Sequence, residues 1–207
     1  MNIKPALVIT DEKPIMIVGC GILQKEVEYL IKKNAWNLET HFLISALHNY
    51  FNKLYTQLNE SLELEEQKGN QTIVFYGACH PRMENIIKQH NTLRTQGQNC
   101  ITMLLGYDKF MEELVQGAFF LLEDWAFTWE PMITEVFGKN PQVVQEIFHS
   151  SHKYMLAIRT PCSTDFTRAA EAAALFVDLP LRWLEVSLEH LESVLNDAIN
   201  RKQPPES

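Results

Sequence analysis

The sequence has no hydrophobic run of the roughly 20 residues that a membrane-spanning helix needs, and its first residues lack the apolar core of a signal peptide. It has no basic run longer than the pair Lys32-Lys33, and its formal net charge is −8. This balance excludes the usual electrostatic footprint of a nucleic-acid or anionic-membrane binder. We therefore expect a soluble, cytoplasmic protein without nucleic-acid or membrane partners.

Several catalytic and metal-binding signatures are also absent. There is no GxSxG, P-loop, HExxH or C-x-x-C motif, which excludes the simplest hydrolase, nucleotide-hydrolysis, zinc-ribbon and thioredoxin-type assignments. Cysteine is scarce, and in a reducing compartment the few thiols are more typical of buried, catalytic or metal-bound residues than of a disulfide framework. The four cysteines are Cys20, Cys79, Cys100 and Cys162.

Short apolar runs alternate with amphipathic stretches of helical period along the chain. This alternation predicts an α/β fold, with a single doubly wound, mostly parallel sheet of Rossmann-like type and helices on both faces. We expect one domain over residues 15–200, an N-terminal tail over 1–14 and a disordered C-terminal tail over 201–207. The predicted strands cover residues 15–19, 36–43, 72–76, 118–122, 154–159 and 181–186, with a weak edge strand within 91–97.

The stretch IVFYGACHP, residues 73–81, combines a buried strand with chemistry-bearing residues. The strand stops at Gly77 and is followed by Cys79 and His80 in a turn, and Pro81 suits the first turn of a helix. Cys20 follows an earlier strand in a comparable turn, and Asn99 is predicted to cap a helix that begins at Cys100. Because parallel strands end at one edge of a sheet, these thiols can meet although they are distant in sequence.

Zinc is the metal that such a group of thiols and imidazoles suits best. Cys20, Cys79 and Cys100, with His48 or His80, supply the Cys and His ligands of a tetrahedral zinc site. Buried cysteines that pack as small hydrophobes are the structural alternative. A thiolate nucleophile is another, at Cys100, whose pKa a helix N-terminus would lower, or at Cys79 beside His80.

Two further alternatives concern ligand binding. Gly19-Cys20-Gly21 between a strand and a helix is similar to the start of a dinucleotide-binding fingerprint, with Glu39 near the distance expected of a ribose contact, although the third glycine is missing. Arg159, at the end of a predicted strand, is the best candidate to bind an anionic substrate. Trp125, four residues before Trp129, is a candidate wall of the substrate pocket.

An ordered set of short motifs resembles the bacterial and archaeal family known as domain of unknown function 1638. The motifs are GCGIL at 19–23, FLISALH at 42–48, YGACH at 76–80, NCITMLLG at 99–106 and GAFFLLEDW at 117–125. The resemblance extends from about Ile15 to Leu195. It implies cysteines at the positions of Cys20, Cys79 and Cys100, a histidine at that of His48, and a loose association with corrinoid-dependent methyl transfer. His80 and the segment Thr160-Pro161-Cys162 depart from the family pattern.

Together these observations predict a metal-binding α/β protein, with zinc at a cysteine-rich site near the carboxyl ends of the strands. The expected chemistry is thiol, methyl or one-carbon transfer linked to corrinoid metabolism, with a small-molecule ligand or a corrinoid-type partner protein. The alternatives are a non-catalytic protein that binds or senses a cofactor or metal, a corrinoid binder, and an iron-sulfur protein with Cys162 as the fourth ligand.

Overall fold

The computed structural model describes residues 13–203 of the chain. Within these residues seven strands form two parallel sheets, with strand orders β2-β1-β3-β4 and β5-β6-β7. The strands are β1 (Ile15–Cys20), β2 (Leu38–Leu43), β3 (Thr72–Phe75), β4 (Leu93–Arg94), β5 (Ala118–Leu121), β6 (Tyr154–Arg159) and β7 (Leu181–Glu185). The predicted α/β class with parallel strands is therefore confirmed.

The strands connect through helices, as parallel pairing requires. The α-helices of the described part are α1 (Gln24–Asn34), α2 (Phe51–Gln67), α3 (Met83–Gln89), α4 (Cys100–Leu105), α5 (Tyr107–Gln116), α6 (Glu123–Phe127), α7 (Trp129–Phe137), α8 (Pro141–Ser151), α9 (Thr167–Phe176) and α10 (Glu189–Lys202). Short 3-10 turns cover Gly21–Leu23 and Ser45–Asn49. None of the described helices is long and apolar enough to cross a membrane.

The expected single sheet is replaced by two sheets in the described residues, and the length of β4 supplies the physical reason. This strand has only two residues, and it pairs with β3 through Leu93 and Arg94 alone. An edge strand of two residues has few free backbone N–H and C=O groups with which a further strand could pair. The next elements along the chain are the helices α4 and α5. β5 therefore begins a second sheet, in which it pairs with β6.

The second sheet is buried on both faces because its side chains alternate. Phe120 and Leu156 belong to a core cluster that also contains Ile17 and Phe75 of the first sheet. Their neighbour Met155 instead packs into a second cluster, with residues of α6, α7, α8 and α9. The larger cluster thus joins the two sheets, and the smaller one covers the outer face of the second sheet.

The last helix extends almost to the end of the described residues. Helix α10 continues through Lys202, two residues into the segment predicted to be a tail, because Leu191, Leu195 and Ala198 bury one face of the helix. Residues 1–12 and 204–207, which make up most of the predicted tails, lie outside the described residues.

Candidate metal centre

Three of the four cysteines line one small cavity in the first half of the chain. Cys20 is the last residue of β1, Cys79 lies in the turn after β3, and Cys100 is the first residue of α4. The cavity is also lined by His48, Tyr76 and Trp125. Its volume of ≈ 20 Å³ suffices for one water molecule or one metal ion.

A close backbone approach brings the Cys79 turn against the start of α4. A Cβ atom added to Gly77 would lie 2.3 Å from the carbonyl oxygen of Gln98, so only glycine fits there. The next residue, Ala78, donates its N–H to the same oxygen at 2.8 Å. Asn99 then caps α4, where its side chain accepts the N–H of Thr102 at 2.9 Å. The predicted cap at Asn99 and the helix start at Cys100 are confirmed.

His48 lines the same cavity as the thiols. Its Nδ1 atom is hydrogen-bonded to the backbone, which leaves Nε2 as the nitrogen that can bind a ligand. Its Nδ1 atom lies 2.9 Å from the carbonyl oxygen of Ser45, and a carbonyl can only accept, so Nδ1 carries the hydrogen. The lone pair is therefore on Nε2. Burial lowers the pKa of His48, which favours the neutral form that metals bind. The ring also packs against that of Trp125, with 5.6 Å between the ring centroids.

The thiols are held in their protonated form. Burial raises the pKa of Cys20 to about 12, and it also raises the pKa values of Cys79 and Cys100. The expected lowering at the N-terminus of α4 is wrong, because the loss of solvent around Cys100 outweighs the backbone N–H groups of this six-residue helix. An uncharged thiol is a poor nucleophile, so the geometry disfavours an activated-thiolate site in the absence of a cation.

The ligand atoms are not yet arranged as a closed coordination sphere. Within residues 13–203, no group of three or more His, Cys, Asp or Glu side chains already has a geometry that could hold a metal ion. Neutral thiols do not attract one another, whereas thiolates converge on a cation. The structure thus brings Cys20, Cys79, Cys100 and His48 to one cavity but shows them as separate, protonated groups.

His80 is directed away from the cavity. Its Nδ1 atom accepts the N–H of Arg82 at 2.9 Å, and its ring has a further hydrogen bond with the backbone of Phe51. The ring also packs against those of Phe51 and Tyr55, at 5.7 Å from each. Because its ring nitrogens already have partners, His80 is the less suitable of the two predicted histidine ligands.

Two other predicted positions, Arg159 at the end of β6 and Cys162 in the turn after it, do not line the thiol cavity. The guanidinium of Arg159 stacks on Trp183 at 3.7 Å and donates to the Thr167 hydroxyl at 2.7 Å, so it already has partners within the protein. The charged neighbours of Cys162 are Glu26 and Lys25.

The two tryptophans that the sequence places together belong to different surroundings. Trp125 lies in α6 and lines the thiol cavity, whereas Trp129 begins α7 and packs among the rings of Phe119 and Phe148. The dinucleotide alternative gains no support, because Glu39 is the second residue of β2, at the opposite end of the strand from the thiols. Gly19 has a packing role instead, because an added Cβ would lie 2.5 Å from the Cβ of Phe75.

Tyr76 is a member of the site that sequence reasoning treated only as the end of a strand. Its side chain lines the cavity, and nearby Cys20 and Cys79 add to the effect of burial in raising the pKa of the phenol. The hydroxyl therefore keeps its proton. A polar ring at the end of an otherwise apolar strand, just before Gly77, was the available signal.

A polar cleft of ≈ 340 Å³ lies beside the thiol cavity. Its lining includes Gly21, which follows Cys20 in the chain, and Asp124, which precedes Trp125. Glu26 is buried in this cleft and accepts a hydrogen bond from Thr160 at 2.6 Å. Lys25 and Glu123 form an ion pair at 2.8 Å across the same rim. These carboxylates come from both halves of the fold, and sequence periodicity gave no sign that they would meet.

Asp124 also connects the cleft to the thiol cavity through hydrogen bonds. The Ser45 hydroxyl donates to its carboxylate in a short hydrogen bond, while the Ser45 carbonyl accepts from His48 and, at 3.8 Å, from the Cys20 thiol. Ser45 therefore orients two prospective ligands while its own position depends on α6.

A family model described as "Protein of unknown function (DUF1638)" matches residues 42–195. The matched range includes His48, Cys79 and Cys100, and Cys20 precedes it. Neither the curated proteins nor the solved structures include a significant match to the chain. Because the family match spans well over half of the 207 residues, the chain belongs to the DUF1638 family, as its ordered motifs indicated.

Proposed function

We propose that the protein binds one zinc ion through Cys20, Cys79 and Cys100, with Nε2 of His48 as the fourth protein ligand. A single observation carries the proposal: side chains from four separate chain segments line one cavity of about the size of an ion. Three thiolates and one imidazole are a common zinc ligand set. The hydrogen bond from Nδ1 of His48 to a backbone carbonyl is the outer contact that metal-binding histidines usually have.

Zinc would supply the charge that this buried site lacks. Thiols with raised pKa values give up their protons to a metal that binds them as thiolates. The raised pKa values of the three thiols are compatible with this proposal, because a bound cation would replace their protons.

For the reaction, we propose thiol, methyl or one-carbon transfer at the zinc centre, with the neighbouring cleft as the substrate site. Zinc holds a bound thiol in its deprotonated, nucleophilic form near neutral pH. The cleft is large enough for a small molecule, and Gly21 and Asp124, which line it, are chain neighbours of Cys20 and Trp125 in the thiol cavity. A corrinoid-type partner protein is the proposed methyl source, and this element of the proposal rests on the family resemblance alone.

A non-catalytic carrier or sensor of metal is the second candidate, and the position of His48 favours it. If Nε2 of His48 binds together with all three thiolates, the tetrahedral site is closed, as in structural or storage sites. The iron-sulfur alternative with Cys162 as the fourth ligand gains no support, because Cys162 does not line the thiol cavity. A cluster would also colour the protein, whereas zinc would not.

Elemental analysis of anaerobically purified protein tests the proposal. We expect about one equivalent of zinc in the parent and a large loss in Cys20→Ser, Cys79→Ser and Cys100→Ser. The matched control is Cys162→Ser, which should retain the parent's metal content. Metal content unchanged in all three ligand variants, or absent from the parent even after incubation with zinc, would contradict the proposal.

A further inference from the structure

Two hydrogen-bond donors in the thiol cavity have no partner. The Tyr76 hydroxyl and the Nε1–H group of Trp125 are both buried, and neither reaches an acceptor among residues 13–203. Tyr76 is only 2% exposed, so solvent does not satisfy its hydroxyl. Buried polar groups in native proteins are nearly always paired, and both of these donors line the cavity that the three thiols share.

The surrounding protein offers these donors no suitable acceptor. The thiols are neutral and accept hydrogen bonds weakly, and their sulfur atoms would be committed to the metal once it binds. Nδ1 of His48 already donates to Ser45, and its Nε2 atom is the proposed ligand. A bound species that brings an acceptor would satisfy both donors.

We propose that the Tyr76 O–H and Trp125 N–H groups would hold an oxygen ligand at an exchangeable position of a metal bound by the thiols. This inference rests on the proposed zinc site and goes beyond it, because it assigns the site as open. The oxygen would be that of a water or hydroxide, and a carboxylate-bearing small molecule would replace it. Hydrogen bonds from such donors are strongest when the accepting oxygen is negatively charged.

The open site is compatible with the four protein ligands. A zinc site with four ligands can accept one more by expanding to five-coordination.

Trp129 provides a matched control within the same chain. Its Nε1 atom is also buried without a partner, but its ring packs between Phe119 and Phe148 in the other core cluster. Removal of that N–H group therefore tests the general effect of losing an orphaned indole donor, while removal of the one in Trp125 tests the site.

Cobalt substitution makes the open position visible. The protein is loaded with Co²⁺, whose visible spectrum reports thiolate ligation and coordination number, and it is then titrated with formate or azide. We expect a saturable spectral change in the parent. The anion Kd should rise about tenfold or more in Tyr76→Phe and Trp125→Phe, which each lose one hydrogen bond to a charged ligand. Trp129→Phe should match the parent, and cobalt stoichiometry should be unchanged throughout.

The outcomes separate the two proposals. Thiolate-to-cobalt absorption without any response to either anion would overturn the open site while leaving the metal site intact. Loss of cobalt in Tyr76→Phe would also overturn it, because the phenol would then be a ligand. Absence of thiolate-to-cobalt absorption in the parent would remove the metal site itself. If one variant fails to fold, the other still tests the same oxygen.

Discussion

The Nδ1 atom of His48 donates a hydrogen bond to the carbonyl oxygen of Ser45 at 2.9 Å. This contact leaves Nε2 as the acceptor and fixes the ring beside Trp125. His48→Ala should therefore lower zinc affinity by at least about tenfold, a loss typical of perturbing a metal ligand or its support. Competition with a chromophoric chelator measures the affinity.

His80→Ala is the matched control for that prediction. His80 hydrogen-bonds to Arg82 and the Phe51 backbone rather than facing the thiols, so its removal should leave zinc affinity within about twofold of the parent, as expected of a residue outside the ligand set. If His80→Ala weakened binding and His48→Ala did not, the assignment of the fourth ligand would be reversed.

Zinc binding should release protons and strengthen with increasing pH. The pKa of Cys20 is about 12, and those of Cys79 and Cys100 are also raised, so all three thiols are protonated near pH 7. Each must lose its proton to bind as a thiolate, which predicts the release of about three protons per zinc.

Calorimetry in buffers of different ionisation enthalpy counts these protons. A second measurement follows the chelator competition between about pH 6 and pH 8, where the apparent affinity should rise steeply. A proton count near zero would mean that the cysteines are not the ligands.

Glu26→Gln should change how stability depends on pH. Burial raises the pKa of Glu26, an effect that the Thr160 hydrogen bond only partly offsets. The folded protein thus binds this proton more tightly than the unfolded chain, so stability falls as pH rises from about 4.3, the unfolded value, through the folded pKa. Glutamine has no charge to bury, and this decline should be absent from the variant.

Urea denaturation at several pH values tests this prediction. The stability of Glu26→Gln relative to the parent should increase from about pH 4 upward and level off above the folded pKa. Glu171→Gln, at an exposed position of α9, should show no such trend. An unchanged difference across this range would indicate that the Glu26 carboxyl is not perturbed.

Gly77→Ala should weaken both the fold and the metal centre. The added Cβ would lie 2.3 Å from the Gln98 carbonyl oxygen, and the resulting overpacking should lower the free energy of unfolding by about 1–3 kcal/mol. Because this contact sets the Cys79 turn against Cys100, zinc affinity should also fall.

Gly138→Ala is a suitable comparison for that variant. Nothing lies within 4 Å of its added Cβ, but its φ of +89° strains an alanine, so it too should lose about 1 kcal/mol or more. Its zinc affinity should nevertheless match that of the parent. If the two variants bound zinc equally tightly, the contact of Gly77 with Gln98 would have no effect on metal binding, and the prediction would be wrong.

The meeting of Cys20, Cys79 and Cys100 could be predicted from the sequence because it follows from topology. Parallel strands place their carboxyl ends together, and the capping chemistry of Asn99 predicts where α4 begins. The choice between His48 and His80 could not be predicted in this way. It depends on the direction of each side chain within its turn. These directions are set by the hydrogen bond of His48 with the Ser45 carbonyl and by that of His80 with the Arg82 N–H group.

The raised pKa of Cys100 and the presence of a second sheet could not be predicted, because both depend on contacts between distant parts of the chain. A helix N-terminus and burial shift a thiol pKa in opposite directions, and only the folded structure shows how strongly burial acts on Cys100. Likewise, hydrophobic periodicity finds strands but not their partners. The brevity of β4 determined where the first sheet ends.

All four proposed ligands belong to the first hundred residues of the chain, whereas Glu123 and Thr160, on the far side of the adjoining cleft, come from the later half. Ser45, which contacts both His48 and the Cys20 thiol through its carbonyl oxygen, is itself held by Asp124 of α6. The side chains contributed by the first half are therefore fully oriented only after the later half has folded against them.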